Sequence, residues 1–129
     1  MLNNSLAGRS VLVVEDEMMV LMFIEGALAD GGCEYIAAAA TVDEALSLLG
    51  ELHFDVAVLD VKLDGGDSFP VADALAACGT PFLFATGYGG GGIAECYRDR
   101  PLLSKPFRSE RLVETISQLL ADKSLTPLH

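Results

Sequence analysis

The residues of this chain best suited to chemistry are acidic, and two groups of them follow short apolar runs. Asp60 closes Val56-Ala57-Val58-Leu59, while Glu15, Asp16 and Glu17 close Val11-Leu12-Val13-Val14. Such runs, rich in β-branched residues and too short for helices, read as strands buried on both faces. A carboxylate just past a buried strand stands where open α/β sheets bind ligands. Singly, Asp60 is equally well explained as the opening of a turn, and three acids in a row as a solvated loop or a favourable charge at a helix start. Two such groups at one sheet edge tip the balance toward a site. Thr86, after Phe82-Leu83-Phe84-Ala85, and Lys105, after Leu102-Leu103-Ser104, bring a hydroxyl and an ammonium to the same edge. Glu15, Asp16 and Asp60 in one crevice repel one another unless a cation lies among them, and an all-oxygen donor set favours Mg²⁺, which also recruits phosphate oxygens. With a lysine and a hydroxyl alongside, the set reads as a carboxylate that becomes phosphorylated.

The elements that must position these groups alternate along the chain. Strands are expected at Ser10 to Val14, Cys33 to Ala39, Val56 to Leu59, Phe82 to Ala85 and Leu102 to Ser104. The second is the weakest, because of its alanines, and belongs nearer the sheet edge. Glu17 to Asp30 reads as a helix stopped by Gly31-Gly32, burying Val20, Phe23, Ile24, Ala27 and Leu28. Thr41 with Glu44 forms a capping box for a helix from Val42 to about Leu52. Ser68 is expected to cap a helix with Pro70 in its first turn, running to about Ala77. Short and long helices are expected at Ile93 to Arg98 and about Ser109 to Ala121. Strands alternating with helices imply an α/β fold with a parallel sheet.

The chain of 129 residues is long enough for one core without staples, and is expected to be one domain, ordered from about 9 to 121 with a frayed tail from 122 to 129. Eight basic against nineteen acidic residues give a formal charge of -11, which disfavours nucleic-acid phosphate. There is no apolar run of spanning length and no signal-peptide pattern at Met1 to Ser10, so a cytoplasmic protein without membrane contact is expected. Cys33, Cys78 and Cys96 lack ligand spacing and read as free thiols. His53, alone in a loop, reads as structural. The glycines from Gly87 to Gly92 lack the Gly-Lys-Ser or Gly-Lys-Thr ending of a phosphate-cradling loop.

The ordered set Val-Val-Glu-Asp, Val-Leu-Asp, Ala-Thr-Gly and Ser-Lys-Pro-Phe resembles the response-regulator receiver domain over nearly the whole chain. The resemblance implies a flavodoxin-like (βα)5 three-layer fold with a parallel five-stranded sheet of order 2-1-3-4-5. It implies that Asp60 is the phosphoacceptor, that Glu15 and Asp16 hold Mg²⁺ with Asp60, and that the Lys62 backbone carbonyl joins the metal shell. Thr86 would contact one phosphoryl oxygen and Lys105 another, with a cis bond to Pro106. Pro81-Phe82-Leu83-Phe84-Ala85-Thr86-Gly87-Tyr88-Gly89 further resembles the FATGUY group of stand-alone receivers, which lack the usual switch aromatic; Leu102 stands in that place. The partner so implied is a sensor histidine kinase or a histidine phosphotransfer protein.

Three alternatives are weighed against this. A haloacid-dehalogenase-type phosphatase needs a second Asp where Lys62 stands. A flavin carrier wants a hydroxyl- and glycine-rich loop where Glu15-Asp16-Glu17 stands. A scaffold that never takes phosphate does not need the acid, Thr and Lys set. Helical spacing leaves Met18, Met19, Leu21 and Met22 as apolar surplus, and Met19 with Met22 is expected to contact the partner, against the plainer alternative of partial burial on a neighbouring helix. With Leu102 unable to swing a ring, the segment of Gly87, Tyr88, Gly89 and Gly90 is the expected switch, against a loop that carries no signal.

Overall fold

The computed structural model describes residues 5–63, 66–87, 97 and 99–125, with side chains to 122. In chain order the elements are β1 (Ser10–Val14), α1 (Met18–Asp30), β2 (Tyr35–Ala39), α2 (Val42–Glu51) and β3 (Val56–Leu59). They continue with β4 (Lys62–Leu63), β5 (Gly66–Asp67), α3 (Phe69–Cys78), β6 (Phe82–Thr86), β7 (Leu102–Ser104) and α4 (Ser109–Leu125). Five of the strands form one parallel sheet in the order β2-β1-β3-β6-β7. Setting aside the small β4–β5 pair, this is the flavodoxin-like order expected from the resemblance.

Alternation along the strands builds the three layers. Leu12, Val14, Ala57, Leu59, Phe82 and Phe84 face α2 and α3, where they meet Ala45, Val71 and Leu75. Val11, Val13, Val56, Val58, Leu83 and Ala85 face α1 and α4, where Ile24, Leu28, Leu112 and Ile116 cover them. A central strand that packs on both faces must be apolar at every position, which is why β1, β3 and β6 read as continuous runs. The alanine-rich β2 is an edge strand, and only its alternate residues Ala37 and Ala39 are buried.

Several local details differ from the sequence expectation. In α1, Phe23 remains 45% exposed instead of joining the buried stripe. It lies one residue off the Ile24, Ala27 and Leu28 line, and its ring meets Phe107 edge-on at 5.8 Å. β2 starts at Tyr35, because Cys33 is taken up by a bridge to Ala7. The Asp60 to Asp67 loop contains an antiparallel pair, Lys62↔Asp67 and Leu63↔Gly66. Ser68 is buried and makes no side-chain cap; the Phe69 N–H donates to Asp67 Oδ1 at 3.1 Å instead.

Thr41 does cap α2, accepting from the Glu44 N–H at 3.1 Å, and Glu44 reaches back to the N–H of Ala40. The last helix extends four residues past the expected Ala121, to Leu125. The expected helix from Ile93 to Arg98 lies outside the described residues except for Tyr97. Among the described residues no helix is long and apolar enough to cross a membrane.

Candidate phosphoacceptor site

Strand register brings the acidic groups together. Val14 pairs with Ala39 on one side and Leu59 on the other. One residue later the Glu15 N–H donates to the Ala39 carbonyl and the Asp60 N–H to the Val14 carbonyl. Glu15 and Asp60 therefore leave the sheet side by side from β1 and β3. Across the sheet, Thr86 pairs with Ser104, and the Lys105 N–H donates to the Thr86 carbonyl at 2.9 Å. Glu15, Asp60, Thr86 and Lys105 thus fall on one sheet edge, as read from the sequence.

Glu15 is 1% exposed and Asp60 6%, while Asp16 faces solvent. One carboxylate oxygen from each of the three can lie within 4.8 Å of the others. The Lys105 Nζ donates to Glu15 Oε1 at 2.7 Å and to Asp60 Oδ2 at 3.2 Å. Its peptide bond to Pro106 is cis. Glu17 approaches the same ammonium at 4.0 Å and gives its N–H to Glu15 Oε2.

Burial pushes the Glu15 carboxyl above its ordinary value, more than the hydrogen bonds from Lys105 and Glu17 lower it; the charge of Asp60 adds to the rise. For Lys105, burial disfavours the ammonium, but Glu15 and Asp60 outweigh it and hold the group above the usual lysine value. The lysine is thus a fixed positive charge against a crowded acidic edge.

An open depression of about 570 Å³ spans Asp16, Glu17, Asp60, Lys62, Gly87 and Lys105. Lys62 is exposed on its rim, and Thr86 is fully buried beneath the edge at the end of β6. Hard carboxylate oxygens converging beside an open, polar depression fit a divalent cation with retained waters.

The receiver pattern covers this whole constellation: the family described as response regulator receiver domain matches residues 11–117. The chain belongs to that family. Among solved structures, it is similar to SdrG from Sphingomonas melonis Fr1, with 38% identity and a TM-score of 0.78 over 90% of this chain and 98% of that one. It is also similar to the receiver domain of the PhyR response regulator from Erythrobacter litoralis, with 27% identity and a TM-score of 0.81 over 95% and 97% of the two chains. The transcriptional regulatory protein PdtaR of Mycobacterium tuberculosis is 30% identical over 113 residues, which are 84% of this chain and 55% of PdtaR. The receiver chain therefore spans little more than half of that curated relative.

A second depression, about 550 Å³ and mainly apolar, lies next to the first between Met19, Val20, Phe23, Pro106 and Phe107. It accommodates one of the two methionines read as partner contacts. Met19 is 80% exposed on its wall, whereas Met22 is exposed on α1 outside the lining. Of the expected switch residues, Gly87 is described and lines both depressions, and Tyr88, Gly89 and Gly90 lie outside the described residues.

Two features escaped sequence reasoning. In sequence Glu17 is one of three adjacent acids, and its approach to Lys105 depends on a residue far along the chain. Tyr97 falls in the segment expected as a short helix, Ile93 to Arg98. In the fold it is buried against Phe69, Phe82 and Phe84, with its hydroxyl donating to Asp73. Its spacing from those aromatics in sequence gave no signal.

Proposed function

We propose that the chain is a receiver that takes a phosphoryl group onto Asp60 in a Mg²⁺-dependent reaction and passes its state on by protein contact, or holds the group as a carrier or sink. The observation that carries this reading is Asp60 itself, nearly buried at a strand end, within 3.2 Å of the Lys105 ammonium and beside Glu15 and Asp16. A carboxylate so placed has a cation ready for the charge that arrives with a phosphoryl group.

In the transfer, an Asp60 Oδ attacks phosphorus, the P–N bond of a phosphohistidine breaks, and the imidazole leaves with the bonding pair. Lys105, now held by Glu15 and Asp60, turns part of its hydrogen bonding to a phosphoryl oxygen. Thr86 offers its hydroxyl to another. Glu15, Asp16 and Asp60, with the Lys62 carbonyl, would hold Mg²⁺, which when bound supplies charge neutralisation for the incoming group. The same residues support a phosphoacceptor with at most self-catalysed dephosphorylation in preference to a turnover phosphatase, since Lys62 stands two residues after Asp60 where such an enzyme places its acid.

The donor proposed is a sensor histidine kinase or a histidine phosphotransfer protein, docking on the groove between Met19 and Phe107 and on the neighbouring exposed Met22 of α1. The chain is proposed to act in the cytoplasm. Small phosphodonors should label the wild type only when Mg²⁺ or a similar divalent ion is present. Asp60→Asn should abolish labelling, and Asp16→Ala should nearly do so. Undiminished labelling of Asp60→Asn moves the acceptor elsewhere and ends this assignment. Release of phosphate from a generic phosphomonoester with turnover would favour the phosphatase.

A further inference from the structure

Glu17 stands at the junction of the two depressions, and with Lys105 and Gly87 it lines both. Its position as N-cap of α1 suggests a structural role, yet its side chain accepts no cap hydrogen bond. The side chain is exposed, and its charged neighbour is Lys105 at 4.0 Å. It therefore competes with Asp60 for the Lys105 ammonium, and adds a negative charge to the wall of the depression beside Asp60, whose other described cation is Lys62 on the rim.

Building on the reading of Asp60 as phosphoacceptor, we propose that Glu17 is a specificity-determining residue that selects phosphodonors by charge, restraining free dianions and favouring donors that carry a compensating positive charge. The restraint is electrostatic. An exposed carboxylate repels a dianion about twice as strongly as a monoanion at the same distance, and salt weakens both effects. It also draws on the ammonium that a phosphoryl oxygen must recruit.

Two small donors separate this from a packing role. Acetyl phosphate is a dianion at neutral pH; on transfer the Asp60 Oδ–P bond forms and acetate leaves with the P–O electron pair. Phosphoramidate carries a protonated nitrogen and is a monoanion; on transfer the same bond forms and ammonia leaves with the P–N pair. Wild type, Glu17→Gln, Glu17→Asp and Asp60→Asn are compared in Mg²⁺ buffer by the initial rate of labelling from each donor, at low and at high salt.

Glu17→Gln is expected to speed labelling by acetyl phosphate about two- to fivefold at low salt, to speed phosphoramidate by a clearly smaller factor, and to lose its advantage near 1 M salt. Glu17→Asp, which keeps the charge, should retain the wild-type preference between donors. Equal acceleration of both donors, or no acceleration of acetyl phosphate, overturns the role given to Glu17 while leaving Asp60 in place. A wild type that neither donor labels, or an Asp60→Asn variant that both label, overturns the proposed function and this inference with it.

Discussion

The Lys105 ammonium lies closer to Glu15 Oε1, at 2.7 Å, than to Asp60 Oδ2, at 3.2 Å. The lysine is thus shared between the residue proposed to hold metal and the residue proposed to accept phosphate. Positive charge already inside the acidic cluster opposes a second cation. Lys105→Met should therefore bind Mg²⁺ about three- to tenfold more tightly while labelling at least about tenfold more slowly from small donors. Calorimetric titration checks the first and labelling rates the second. Weaker Mg²⁺ binding in the variant would mean that Lys105 holds the carboxylates in place instead of competing for them.

Glu15 links the site to stability. Its folded-state pKa is raised above 4.5 by burial, so the folded protein holds this proton more tightly than the unfolded chain. The associated stability is fully present below the unfolded value and is lost as pH rises through the folded one. In chelator-treated protein, Glu15→Gln should remove that decline, so that its urea midpoint gains on the wild type between about pH 4 and pH 8. Lys105, raised above 10.5, contributes stability up to that value and loses it as pH rises through its folded value, outside this window. A constant difference between the variants across the window would contradict the shift assigned to Glu15.

Added Mg²⁺ should raise the wild-type melting temperature at neutral pH, since a ligand that binds only the folded state stabilises it by mass action. Asp16→Ala should lose most of this gain, because Asp16 supplies one of the three converging carboxylates. An equal gain in both proteins would place the ion elsewhere.

The exposed methionines of α1 give a separate expectation. Converting Met19 and Met22 together to Glu should weaken docking of a kinase or phosphotransfer protein by tenfold or more, an estimate based on about 1.4 kcal/mol per decade. Labelling by acetyl phosphate should persist. Parallel loss of both activities, read in the same preparation with its melting curve, would assign the pair to the fold.

Leu102 opens β7, is half-buried, and packs against the core on the α2 and α3 side. Leu102→Tyr should change partner binding less than twofold, well inside 1 kcal/mol. Residues 86–97 should show the largest change in amide exchange on beryllofluoride binding. A response concentrated in β7 and α4 would place the switch there.

Much of this protein is legible in the chain itself. Continuous apolar runs fix β1, β3 and β6 as central strands, because only burial on both faces requires apolar residues at every position. The polar residues that end those runs, Glu15, Asp60 and Thr86, then fall on one edge once the strands are parallel. Thr41 with Glu44 marks the start of α2, since both hydrogen bonds form within five residues. The rest was decided by contacts between distant segments. Whether Phe23 is buried depends on where Phe107 lies after β7. At the start of α3 the Phe69 N–H is taken by Asp67, which pairs with Lys62 across the β4–β5 ladder, and not by Ser68. Lys105 reaches Glu15, Asp60 and Glu17 only through the sheet register that joins β7 to β6 and β3 to β1. Local pattern records which residues must be buried and which backbone groups need partners. It carries no record of which distant charge a long, flexible lysine meets, because that distance is set by the packing of the whole sheet.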